Sequence, residues 1–129
     1  MPRRHNPPGI APPASRYAHG VEHRLSGRRL VISGQVGLRL DGTLSEGLRA
    51  QLETAFDNLL AVLEAAGMGP ENLVKVTGYV TVPGSVALWR EVRETKLGPH
   101  APAATYLEVA GLARPDWLAE IEGEAVQES

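Results

Sequence analysis

A chain of 129 residues and 13.8 kDa has the length of one ordinary domain, and its 43% hydrophobic and 22% charged residues exclude a disordered chain. A net charge of -2 and a pI near 6.1 leave no basic footprint for nucleic acid or anionic lipid, and the absence of cysteine excludes disulfides, thiol nucleophiles and thiolate metal sites. Apolar runs fall far short of the roughly 20 residues of a membrane helix, and none follows the N-terminal arginines as in a signal peptide, so a cytoplasmic protein with no membrane or nucleic-acid partner is expected.

Pro2, Pro7, Pro8, Pro12 and Pro13 crowd the N-terminus, which predicts a flexible proline-rich arm over 1–14 and a single domain over 15–127. Val21–Leu25 and Arg29–Ser33, separated by Ser26-Gly27, read as a hairpin. Thr43-Leu-Ser-Glu46 has capping-box spacing and opens a helix with apolar positions Leu48, Leu52, Ala55, Phe56, Leu59, Leu60 and Leu63, ended by Gly67. Asn72–Val82 reads as a strand with Val74, Val76, Val80 and Val82 on one face, and Leu73, Lys75, Thr77, Tyr79 and Thr81 on the other. Ser85 caps a second helix to about Thr95, with the stripe Val86, Trp89 and Val92. Ala104–Ala110 and Trp117–Val126 complete the strands.

The order β-β-α-β-α-β-β is an α+β layout whose two helices cover one sheet face. Leu73, Tyr79 and Tyr106 suggest that the other face needs cover too, which predicts a homo-oligomer. A cyclic trimer would bury that face most economically, although periodicity does not set the number.

His5, His19, His23 and His100 lack the helical spacing of metal ligands, so no metal is expected. Neither a phosphate loop nor a nucleophile elbow occurs. Glu120, Glu122 and Glu124 alternate with Ala119, Ile121 and Gly123, placing three carboxylates on one sheet face. Glu122 and Glu124 read as the solvated face of an edge strand. Glu120, near the strand's start and the expected subunit boundary, is the candidate to hold a water or a ligand amine.

Several segments then occur in a telling order: Ser33-Gly-Gln-Val-Gly37, Asp41-Gly42, Asn58-Leu-Leu60, Ala66-Gly67, Val74-Lys-Val-Thr-Gly-Tyr-Val-Thr81, Pro102-Ala103, Val109-Ala-Gly-Leu-Ala113 and Glu120-Ile-Glu122. From about Tyr17 to Val126 the chain resembles the RidA family, the YjgF-like reactive-intermediate (enamine/imine) deaminases. The resemblance implies a chorismate-mutase-like fold and a homotrimer with small-molecule clefts between adjacent subunits. It also implies hydrolysis of enamine/imine intermediates to 2-keto acids and ammonia without a cofactor. Older family labels include ribonuclease and translation inhibitor, which the near-neutral charge supports little.

Carried over residue by residue, the resemblance makes Glu120 the catalytic candidate and Tyr17 and Gly34 substrate-binding candidates. His19 stands where the family often has a glutamine, so it is a further lining candidate. Where family deaminases read Pro-Ala-Arg this chain reads Pro102-Ala103-Ala104, which removes the guanidinium that grips the substrate carboxylate. Thr105 follows as a lining candidate, although it faces opposite to Ala104 and ladder support is its plainer role. The chain thus reads as an arginine-less branch whose cleft is intact and whose deamination is in question. The alternatives are an active deaminase with a substitute arginine, Arg16 or Arg114, and a non-catalytic binding or chaperone-like protein.

Overall fold

The computed structural model describes residues 2–129. In chain order the elements are β1 (Arg3–His5), β2 (Gly20–Glu22), β3 (Gly27–Val36), α1 (Leu48–Ala65), β4 (Leu73–Val80), α2 (Val86–Leu97), β5 (Ala103–Glu108) and β6 (Ala119–Glu128), with a single 3-10 turn at Pro70–Asn72 before β4. The main sheet has the order β3-β6-β4-β5; β4 and β5 are parallel and the other pairs antiparallel. Both helices lie on one face, as the α+β reading expected.

The apolar stripe of α1 explains that packing. Leu52, Ala55, Phe56, Leu59 and Leu63 are fully buried at helical spacing against Ile32, Val76, Val80, Ile121 and Ala125 of the sheet. At its end Met68 N–H donates to Leu63 O and Gly67 N–H to Glu64 O, each at 2.9 Å. Gly67 sits at φ +70°, where only glycine avoids a Cβ penalty, so the helix closes as expected in a Schellman turn. On α2, Trp89 is 1% exposed and lies between Phe56 (ring centroids 5.4 Å) and Tyr106 (6.1 Å). A Cβ on Gly78 would fall 2.5 Å from the indole, so that strand position must be glycine for the helix to seat.

Several expectations are corrected. The predicted hairpin does not form: β2 pairs with β1, and β3 pairs with β6. Leu30 and Ile32 of β3 come opposite Ala125 and Gly123, small residues that let the inward side chains meet α1. The three-residue β2 offers no such apolar face. Arg3–His5 is accordingly a strand rather than the start of an unpaired arm.

The predicted capping box is also absent. Thr43 turns its N–H and hydroxyl to Asp41 Oδ1 (3.0 and 2.6 Å), and Ser45 Oγ pairs with Thr54 Oγ1 at 2.6 Å, so α1 begins only after Gly47. A register shift between Leu73 and Lys75 moves Leu73 to the helix side, and Tyr106 packs there too. The opposite face is therefore not the apolar one expected. Lys75, Thr77, Tyr79, Thr105, Glu120, Glu122 and Glu124 make it polar, and β6, which carries the glutamates, is an interior strand rather than an edge.

Candidate functional site

Cross-strand register lines up the open face in rows. Val31, Glu124, Lys75 and Ala103 form one, and Val36, Glu120, Tyr79 and Leu107 another; between them Glu122 lies beside Thr77 and Thr105. Opposite Glu122 the ladder of β3 is broken between Ile32 and Gln35, where two residues, Ser33 and Gly34, face that one and bulge. The three carboxylates then separate chemically. Arg29 Nη2 pairs with Glu124 at 2.9 Å, and the Tyr79 hydroxyl donates to Glu122 at 2.8 Å. Glu120 has no hydrogen-bond or ion-pair partner among the described residues. Partial burial, and then the neighbouring Glu122, raise its proton affinity above the ordinary carboxyl value. The Tyr79 hydroxyl is held above the usual phenol value first by its bond to Glu122 and then by burial.

Gly34 is what leaves Glu120 room. A Cβ there would lie 1.8 Å from Glu120 Oε2. Because the obstacle is the end of a flexible side chain, Gly34→Ala is expected to fold with little loss of thermal stability while displacing the carboxyl. Thermal unfolding and the activity assay described below should therefore respond in opposite proportion. A second outcome follows from the raised affinity of Glu120: ionising it costs the folded state, so stability falls as pH rises through the shifted value. Glu120→Gln is expected to melt higher than wild type at neutral pH, the gap closing below pH 4.5, in unfolding curves taken across about pH 4 to 8.

The remaining candidates gather elsewhere. Segment 14–18 is tied to the sheet where Ala18 N–H donates to Pro102 O at 3.1 Å, beside the Ala18–Ala103 bridge. Between that segment, α2 and β5 lies a cavity of about 230 Å³ lined by Tyr17, Trp89, Arg90, Arg93, Ala104 and Tyr106, among others. Tyr17 and Ala104 meet there on the helix side of edge strand β5. Thr105 points to the other face, accepting a hydrogen bond from Lys75 Nζ at 2.6 Å. His19 does not line the cavity; its Nε2 is 2.7 Å from Ala11 O, and its backbone N–H donates to Asn6 Oδ1 at 2.9 Å, so it fastens the N-terminal segment.

Of the two arginines that the alternative reading offers as substitutes, Arg16 donates to Gly98 O at 2.8 Å and Arg114 stacks beside Trp117, and neither lines the Ala104 cavity. Arg93 and Arg90 do. The sequence carried a signal for Arg93: it falls on the line Val86, Trp89, Arg93, Leu97, a cation at an inward position of an amphipathic helix.

A family model described as Endoribonuclease L-PSP matches residues 9–127. The chain belongs to the RidA/YjgF family. Its two helices on a mixed sheet are the α+β, chorismate-mutase-like fold of that family. The RutC family protein YjgH of Escherichia coli K12 is 43% identical over 76 residues, 55% of this chain and 58% of that protein, so the chain spans little more than half of that relative's length. The 2-iminobutanoate/2-iminopropanoate deaminase of Salmonella typhimurium is 31% identical over 86% of this chain and 87% of its own length. Among solved structures, YyfB of Yersinia pestis, a protein of unknown function of the Rid family, superposes with a TM-score of 0.88 at 33% identity, covering 98% of both chains. Among the described residues of this RidA/YjgF protein no helix is long and apolar enough to cross a membrane, and no cluster of acidic or histidine residues could hold a metal.

Proposed function

We propose that this protein is a cofactor-independent hydrolase of enamine/imine intermediates, releasing a 2-oxo acid and ammonia. The observation that carries the reading is Glu120: among the half-buried glutamates Glu120, Glu122 and Glu124 of β6 it alone is unpaired among the described residues, and its carboxyl is set against a glycine. A carboxylate with raised proton affinity is a better proton acceptor than an ordinary one, which suits general acid–base work.

In the proposed reaction Glu120 takes a proton from a water as its oxygen bonds to the imine carbon, and the C=N pair moves to nitrogen. The proton then passes to that nitrogen, giving a carbinolamine; Glu120 next carries the carbinolamine hydroxyl proton to the amine, and the C–N bond breaks to release ammonia and form the keto C=O. Water and imine become 2-oxo acid and ammonia, with no oxidant or cofactor required. Gly34 permits close approach of the ligand, and Tyr17 closes the other side.

The homotrimer belongs to the same proposal. Tyr17 and Ala104 lie on the helix side of β5, whereas Glu120 and Gly34 lie on the open face of the interior strand and its neighbour. One chain cannot turn both toward one small molecule. A second copy, placing its open face against the β5 edge, would bring the halves together, and the polar open face is suited to a wet interface and cleft.

A binding protein without turnover is the second reading, favoured by the alanine at position 104. The test is the appearance of 2-oxobutanoate from 2-iminobutanoate generated in situ by an amino-acid oxidase. The proposal expects acceleration over buffer proportional to protein concentration; a rate equal to buffer would leave the binding reading.

A further inference from the structure

We propose that the cavity between α2, β5 and segment 14–18 is a site for a small organic carboxylate, with Arg93 as its anion anchor. As to substrate, the inference rests on the deaminase reading; as a binding site it stands on its own geometry.

Arg93 is 3% exposed, yet it remains a cation at physiological pH even though burial lowers its proton affinity. Taking a guanidinium out of water is costly unless an anion and hydrogen bonds replace the solvent. Its partners within the chain do this poorly. Nη2 donates to the neutral Ser15 hydroxyl at 3.0 Å, and the nearest carboxylate oxygen, on Glu94, is 3.7 Å away. Glu94 is shared, since Arg16 Nη2 approaches it at 3.7 Å as well. The Trp89 ring, 5.7 Å from Cζ, adds only a cation–π contact. Both polar contacts engage Nη2, so much of the planar donor fork is left for an anion in the cavity that Arg93 lines.

The walls define the ligand further. Arg90 adds a second positive charge to the lining, and Ala104 contributes only a methyl group. Tyr17, Trp89 and Tyr106 supply ring surface. Burial and a 2.7 Å bond to Glu108 push the Tyr106 phenol up to about 12, so it stays neutral and offers no competing charge. Guanidinium on one side and aromatic and aliphatic surface on the other fit a carboxylate carrying a short carbon chain, and suit a bare inorganic anion less. The position is also a local conflict, because a cation on the buried line of α2 weakens the helix's packing and is retained where a site needs it.

The experiment is calorimetric titration of the native protein with 2-oxobutanoate, its methyl ester and inorganic phosphate. Arg93→Gln is expected to weaken 2-oxobutanoate about 10- to 100-fold, and Ala104→Arg added to that variant to recover most of the loss. The ester should bind wild type and Arg93→Gln equally, and phosphate should bind neither. Should Arg93→Gln fail to fold, 2-oxobutanoate titrated into wild type must shift the Arg93 Nε–H and Trp89 indole NMR signals. Unchanged affinity in Arg93→Gln, unmoved signals, or phosphate binding as tight as the acid would each overturn the proposal. Arg93-dependent binding without imine hydrolysis would uphold the anchor and remove the deaminase reading; hydrolysis with unaltered binding in Arg93→Gln would do the reverse.

Discussion

Glu120→Gln is expected to lower kcat for imine hydrolysis by about 10²- to 10⁴-fold, the range for a positioned acid–base group, with KM changed less than about tenfold. The amide keeps the shape and one hydrogen-bond acceptor but cannot accept the water's proton. Glu124→Gln is the matching control, because Glu124 is already paired with Arg29 at 2.9 Å and lies four residues along the strand on the same face. Steady-state kinetics on the pair should separate a proton carrier from the general charge of the face. Equal losses in both would point to field effects, and no loss in either would remove Glu120 from the chemistry.

Trp89→Ala is expected to cost about 3–5 kcal/mol of folding stability, measured by denaturant unfolding. The indole is 1% exposed, sits between Phe56 and Tyr106, and fills the space that Gly78 leaves open. Position 78, without a Cβ, has no side chain to fill that gap. Against a total stability of about 5–15 kcal/mol for a typical domain, such a loss is large. It should also loosen the Ala104 cavity, whose wall the indole forms. Leu40→Ala, at a fully exposed position, is expected to change stability by less than about 0.5 kcal/mol.

What could be read from the residues follows from how far each signal reaches along the chain. The stripe from Leu52 to Leu63 and the glycine stop at Gly67 are local patterns, and the structure keeps them. The hairpin and the capping box were local patterns too, but competing partners took their parts: β6, far along the chain, claims β3, while nearby Asp41 and Thr54 claim the hydroxyls of Thr43 and Ser45. The bulge after Leu73 exchanges which apolar residue faces the helices, something no alternation count can register.

The candidate site divides in the same way. Alternation along β6 put the three glutamates on one face, and position on the strand singled out Glu120; the pairing of Glu122 with Tyr79 and of Glu124 with Arg29 shows only in space. Arg16, next to Tyr17, and Arg114, in the loop before the last strand, are the substitutes that the chain order offers. Arg93 was visible as a cation on an apolar line, yet its approach to Ala104 depends on α2 crossing over β5.

The proposed active site is built by two chains, each contributing one face of its sheet. Its most direct test is size fractionation with light scattering, each fraction being assayed for imine hydrolysis. Activity should reside in a species near three times the 13.8 kDa chain mass and vanish from any single-chain fraction. A 13.8 kDa species with full activity per chain would contradict it.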